Sequence, residues 1–225
     1  KLEGRQIEEA VSCVFHTLLL HRSTGKFHYQ AEGNYSIGVV GTEDVDCDFI
    51  DLTYVRVSSD QLVQAVQRHV VDFKDKLRQQ GGPCNGLVSL EFVQKRRKQS
   101  WFVSEENAPW EIWHLYLEVL QVNNETEHQR LKETVGEQLA DIVFDICHAV
   151  NRPQLYVPKM PNKCDLSLVF DPSFVDVQPY QYRIRHEISA PAHLRPYTAA
   201  SLDGGQAGPG LKSTVSKLLK DTLSM

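Results

Sequence analysis

"LVSLEFVQKRRKQSWFVSEENAPWEIWHLYLEVLQV", residues 87–122, decides the fold. Its two ends read as strands, "LVSLEFVQK" (87–95) and "EIWHLYLEVLQV" (111–122), joined by a polar loop. In the second strand Trp113, Leu115, Leu117 and Val119 alternate inward, while His114 and Glu118 point outward. Pro109 fixes the approach to this strand. The loop itself breaks the pattern. Trp101 and Phe102 follow the basic run Lys95–Lys98 and precede Ser104, Glu105, Glu106 and Asn107, with no apolar periodicity around them. Two readings compete. Either the rings fold back onto the domain, since most tryptophans are largely buried, or they face water and offer roughly 300–500 Å² of apolar surface to a partner. The charged flanks and the nearby Trp110 and Trp113, which already serve a strand, favour a docking tip over residues 96–109.

Upstream, Ile7, Ala10, Val11, Val14, Phe15, Leu18 and Leu19 recur at helical spacing and predict a helix over 5–21. Gly25 is expected to end it in the left-handed conformation. "YSIGVVGT" (35–42) and "DFIDLTYVRV" (48–57) read as two strands paired with each other. Ser58 with Gln61 forms a capping box for a second helix reaching about Arg78, with Leu62, Ala65, Val66, His69, Val70, Phe73 and Leu77 on its buried face. Asn124 with Glu127 caps the longest helix, which "NRP" (151–153) terminates and Gly136 slightly weakens. Pro158, Pro161, Pro172 and Pro179 then punctuate an irregular stretch, and "YQYRIRHEIS" (180–189) alternates as a last strand. Residues 195–210, rich in Pro, Gly, Ala and Ser, read as a flexible insertion. Strands that cluster between helices favour an α+β domain with an antiparallel sheet and helices on one face.

The 225 residues suffice for a core without covalent staples. A net charge of −5 argues against nucleic-acid binding. Five scattered cysteines, none in a Cys-x-x-Cys pair, suit a reducing compartment, and no apolar run approaches a membrane span. "DVDCDFID" lines up Asp44, Asp46, Asp48 and Asp51 but lacks the glycine and terminal glutamate of a calcium loop, so a polar turn is the favoured reading. "HRSTGKFH" holds Gly25-Lys26 without the rest of a phosphate loop. His16 and His21 are too far apart in helical phase to share a ligand, and His69 reads as a core histidine. Cys13 and Cys147 read as small hydrophobes. No motif nominates a catalytic residue, a cofactor or a metal.

"EGRQIEEA", "LLHRSTGKFHY", "YSIGVVGTEDVDCDFIDLTYVRVSS", "SLEF", "APWEIW", "VPKMP", "DVQPY" and "LLKDTL" stand in this order from Glu3 to Leu223. Together they resemble the autophagy-related protein 101 family of HORMA-domain proteins. The resemblance implies a single HORMA domain over 1–225, an antiparallel sheet packed against three helices with a C-terminal belt-like region. It implies a non-enzymatic, cytoplasmic scaffold, recruited to the preautophagosomal structure within the unc-51-like kinase complex. There it would pair with and stabilise the HORMA domain of autophagy-related protein 13 and recruit downstream autophagy factors. The family's Trp-Phe finger falls on Trp101 and Phe102. The family finger holds a proline between its aromatics; here they are adjacent, and Val103 stands where the phenylalanine is expected. The 195–210 insertion is a second departure. Two other readings stay open: a HORMA adaptor of a checkpoint or chromosome-axis pathway that captures a peptide under its belt, and an enzyme with a dispersed site.

Overall fold

The computed structural model describes residues 1–31, 33–96 and 106–189. Its main sheet has four strands in the order β1 (Leu2–Glu3), β8 (Glu106–Leu120), β7 (Cys84–Arg96) and β10 (Tyr182–Ser189). The pairs β7–β8 and β7–β10 are antiparallel as expected, whereas the short β1 joins β8 in parallel at Leu2↔Val119. Four helices accompany the strands: α1 (Ile7–His21), α2 (Asp60–Arg78), α3 (Glu125–Val150) and the one-turn α4 (Leu166–Val169).

Helix α1 is the centre of the described fold. Its apolar stripe was legible, but Ser12, Cys13, His16 and Thr17 on the remaining faces are buried too. It touches α2, α3 and β6 (Thr53–Val57), so little of it meets solvent. Small or neutral polar side chains make this tolerable: Thr17 Oγ1 donates to the Cys13 carbonyl at 2.8 Å. One continuous core joins α1, α2, α3 and the inner face of the sheet, where Val88, Leu90 and Phe92 are fully buried. Gly86 permits this packing, because a Cβ there would lie 2.7 Å from the Phe73 ring of α2.

Several local expectations are corrected. Residues 35–42 and 48–57 do not form one hairpin: of the first stretch only Thr42 pairs with the second, at Val57. Two separate hairpins form instead: β3 (Phe27–Ala31) with β4 (Asn34–Ile37), and β5 (Thr42–Asp46) with β6. The turn after β3 uses Gly33 at φ 73°, a left-handed conformation that glycine adopts without strain. Gly25 is not left-handed. It allows a close backbone approach, since a Cβ there would sit 2.0 Å from the Gly38 carbonyl oxygen. The residues before it, Ser23–Thr24 (β2), pair with Gln178–Pro179 (β9) and so lead α1 directly into a small sheet. The α2 cap is Ser59 rather than Ser58, its oxygen accepting from Leu62 N–H. Gln61 accepts from Val175 N–H and takes no part in a capping box. His69 is exposed, because it lies one step off the buried row Leu62, Val66, Val70, Phe73 and Leu77.

The α3 cap is as read: Asn124 Oδ1 accepts from Glu127 N–H at 2.7 Å. Gly136 within that helix has a positive role. A Cβ would stand 2.4 Å from the Asp51 carbonyl oxygen, so the glycine lets α3 meet the 47–52 loop. Lys132 Nζ donates to the Asp48 carbonyl, Asp51 N–H donates to the Lys132 carbonyl, and Glu9 accepts from Asp48 and Phe49 N–H. The aspartate-rich stretch is thus a loop clamped between α1 and α3. Asp44 and Asp46 lie on β5, and Asp46 accepts from Thr53 Oγ1.

Candidate functional site

The β7–β8 hairpin runs in register from Cys84↔Val119 to Arg96↔Glu106. Residues 97–105 join its ends in sequence, and Trp101 and Phe102 therefore lie outside the described residues. The flexible insertion expected at 195–210 also lies outside them.

A bulge interrupts the ladder where Phe92 faces Glu111 and Val93 faces Pro109, leaving Trp110 as the extra residue. Proline cannot donate to a ladder, and a bulge is one of the few places a strand accepts it. Trp110 packs against Phe92 and Tyr180, with ring centroids 5.7 and 5.3 Å away. The Arg22 guanidinium lies 5.8 Å from the Trp110 ring centroid.

Arg22 ends α1 and reaches the point where the hairpin extends past its pairing with β10, at Glu111 opposite Phe92. Its Nε and Nη2 grip Glu111 Oε2 at 3.0 and 2.7 Å, and Nη2 also donates to the Val150 carbonyl at the end of α3. Trp113 Nε1 donates to Glu111 Oε1 at 2.6 Å. The side chains of Arg22 and Glu111 are only 7% and 11% exposed, so this pair is taken almost wholly out of water. Tyr180 N–H closes the network on the Arg22 carbonyl. One ion pair thereby ties α1, α3, β8 and the segment before β10 together. Sequence reading missed it, because partners 89 positions apart leave no local signature.

Burial sets the titration of several groups inside the fold. Burial pushes the Cys13 and Cys47 thiols up to about 12, which keeps them protonated at neutral pH. Burial, with Arg56 nearby, lowers His16 to about 4, and its ring stacks on Tyr54. Cys147 Sγ lies 3.4 Å from His21 Nε2, where burial and the adjacent Arg22 lower the imidazole pKa. Among the described residues no group of three His, Cys, Asp or Glu side chains could hold a metal ion. No helix among them is long and apolar enough to cross a membrane.

His16 makes a testable contribution to stability. Unfolded, it takes a proton near 6.5, whereas folded it resists protonation to about 4. The neutral ring is stable in place above pH 6.5, and that stability is lost as pH falls toward 4. The loss should reach about 3 kcal/mol, and urea midpoints compared at pH 7 and pH 4 should shift less in His16→Gln.

Fold and site together define an α+β protein built on a buried central helix, which holds the root of one long hairpin by a desolvated ion pair. The chain belongs to the family described as Autophagy-related protein 101, whose family model matches residues 1–164. Autophagy-related protein 101 of Xenopus tropicalis is 47% identical over 224 residues, spanning 100% of this chain and 95% of that protein. The protein of that name from Homo sapiens shows the same identity and coverage. Its Arabidopsis thaliana counterpart is 23% identical over 177 residues, covering 70% of this chain and 76% of the plant protein.

Proposed function

We propose that this chain is a non-enzymatic HORMA-domain scaffold of autophagy initiation. It pairs with the HORMA domain of autophagy-related protein 13 in the unc-51-like kinase complex, and it recruits downstream autophagy factors through Trp101 and Phe102. Its place of action is the cytoplasm and the preautophagosomal structure. The observation that carries this reading is the relation to Autophagy-related protein 101 across the whole chain.

Two structural features support it. The β7–β8 ladder, rooted on Arg22–Glu111, ends at Arg96↔Glu106 and leads into the segment bearing the adjacent aromatics. Helix α3 leaves Phe144 65% exposed on its outer side, an apolar side chain that a partner domain would cover. Two surfaces on one rigid core make a bridge without chemistry.

Light scattering of the full chain mixed with the HORMA region of autophagy-related protein 13 tests the pairing. A one-to-one heterodimer is expected at micromolar concentration. Two unassociated species would return the function to the other HORMA pathways or to a dispersed enzyme site.

A further inference from the structure

The proline-rich stretch after α3 has a pattern of its own. Val157-Pro158-Lys159-Met160-Pro161-Asn162-Lys163 places two apolar–proline pairs three residues apart and a lysine two residues beyond the second. Residues 156–162 belong to no helix or strand. No backbone–backbone hydrogen bond ties residues 156–161 to another described residue. Asn162 sits at φ −69°, ψ 165°, close to polyproline II, and the two prolines hold their own φ near the same value.

In that conformation residues three apart share a ridge. Extended in this way, Val157, Met160 and Lys163 would form one ridge, Pro158 and Pro161 a second, Lys159 and Asn162 a third; Lys163 now opens a one-turn 3-10 helix (Lys163–Asp165) that must unwind to join its ridge. Val157 and Met160 are 40% and 44% exposed, large apolar side chains left in water. Neither Lys159 nor Lys163 has an ion pair among the described residues. The proline ridge instead faces this domain: Pro158 is buried, and Tyr29 Oη donates to the Pro161 carbonyl at 2.9 Å.

We propose that residues 157–163 are a docking site for an SH3 domain, held closed by the Tyr29–Pro161 hydrogen bond. SH3 grooves are lined with aromatic rings that seat two apolar–proline pairs, and an acidic rim beside them accepts a basic residue. The spacing of both pairs and the position of Lys163 satisfy this in one direction of the chain. A groove that reads two ridges needs the proline ridge freed, so the segment must lift from β3 before it is bound. The lift must give up the Tyr29 bond, the burial of Pro158 and the contacts of Asn162, while Tyr156 stays edge-on to Trp110 and keeps an exposed 3.4 Å contact to Gln94. Binding therefore selects an opened minor state, and whatever weakens the latch raises the apparent affinity. The site is independent of the Trp101–Phe102 loop.

Isothermal titration of the full chain with an SH3 domain that prefers Pro-x-x-Pro-x-Lys peptides tests this. Binding is expected, tightened about fivefold in Tyr29→Phe, the weight of one hydrogen bond on the closed state. Pro161→Ala and Lys163→Glu should each weaken it about tenfold, the latter by reversing the charge that meets the acidic rim. Trp101→Ala/Phe102→Ala should leave it unchanged. Because Pro158 is buried, the half-exposed Pro161 and the exposed Lys163 are the variants of choice, with unfolding curves confirming that both fold. Binding seen only in Tyr29→Phe supports the latch. No binding by wild type and Tyr29→Phe alike at millimolar SH3 domain overturns the proposal. Binding that survives both Pro161→Ala and Lys163→Glu does the same.

Discussion

Arg22→Ala is expected to destabilise the fold by about 3–5 kcal/mol, the cost of stripping one partner from a buried ion pair. For a domain of this size that corresponds to a melting temperature lower by about 10 °C. The loss does not come from the Coulomb attraction alone. With Arg22 gone, the Glu111 carboxylate stays in a nearly dry site and, among the described residues, retains the Trp113 indole alone as donor. The Val150 carbonyl loses its Arg22 donor, and Trp110 loses the cation beside its ring. Glu111→Ala should cost a similar amount by stranding the guanidinium. The double change Arg22→Met/Glu111→Leu separates charge from shape. It removes both desolvated ions while keeping volume, so it should recover more than half of either single loss. Thermal unfolding of the three variants reads this directly. Equal losses in single and double variants would mean that packing, not the ion pair, roots the hairpin.

The difference between what sequence showed and what it hid follows from the range of each interaction. The strands at 87–95 and 111–122 and the Asn124 cap were legible because period-two alternation and a cap are local signals. The full burial of α1 was not, since only its apolar stripe signals burial locally, whereas Ser12, His16 and Thr17 are buried by packing against α2, α3 and β6 that no local pattern announces. The hairpin over 27–37 was missed because "FHYQAEGNYSI" carries few branched residues, and its turn depends on one left-handed glycine. Gly25 and Gly136 were misread for a common reason. In isolation a glycine signals conformational freedom or helix weakness, whereas here each marks where another backbone passes too close for a Cβ. The Trp101–Phe102 pair was the reverse case: conspicuous in sequence because it fits no periodic stripe. The root that holds its hairpin, Arg22 with Glu111, was invisible because only the fold brings those residues together.

Trp101→Ala/Phe102→Ala is expected to cut recruitment of downstream autophagy factors by two to three orders of magnitude, about 3–4 kcal/mol, the scale of paired aromatic hot spots. The estimate is bounded from above by area. Two rings that bury roughly 300–500 Å² would supply about 7–12 kcal/mol at ~25 cal/mol per Å². Association and loop-ordering costs remove a large part of that. Each ring removed alone should cost more than half of the double change if they fill one pocket together, because the loss of either leaves the shared pocket poorly filled and neighbouring hot spots are not additive. Stability and heterodimer formation should not move. The ladder from Cys84↔Val119 to Arg96↔Glu106 and the Arg22–Glu111 pair are built without either residue. The measurement is recruitment of downstream factors in cells whose own copy has been replaced by the variant, with its abundance and its heterodimer assayed in parallel. Normal recruitment at normal abundance would remove the finger from the mechanism. Lost recruitment together with a lost heterodimer would mean instead that the rings serve the fold or the pairing surface, as the fold-back reading of Trp101 and Phe102 requires.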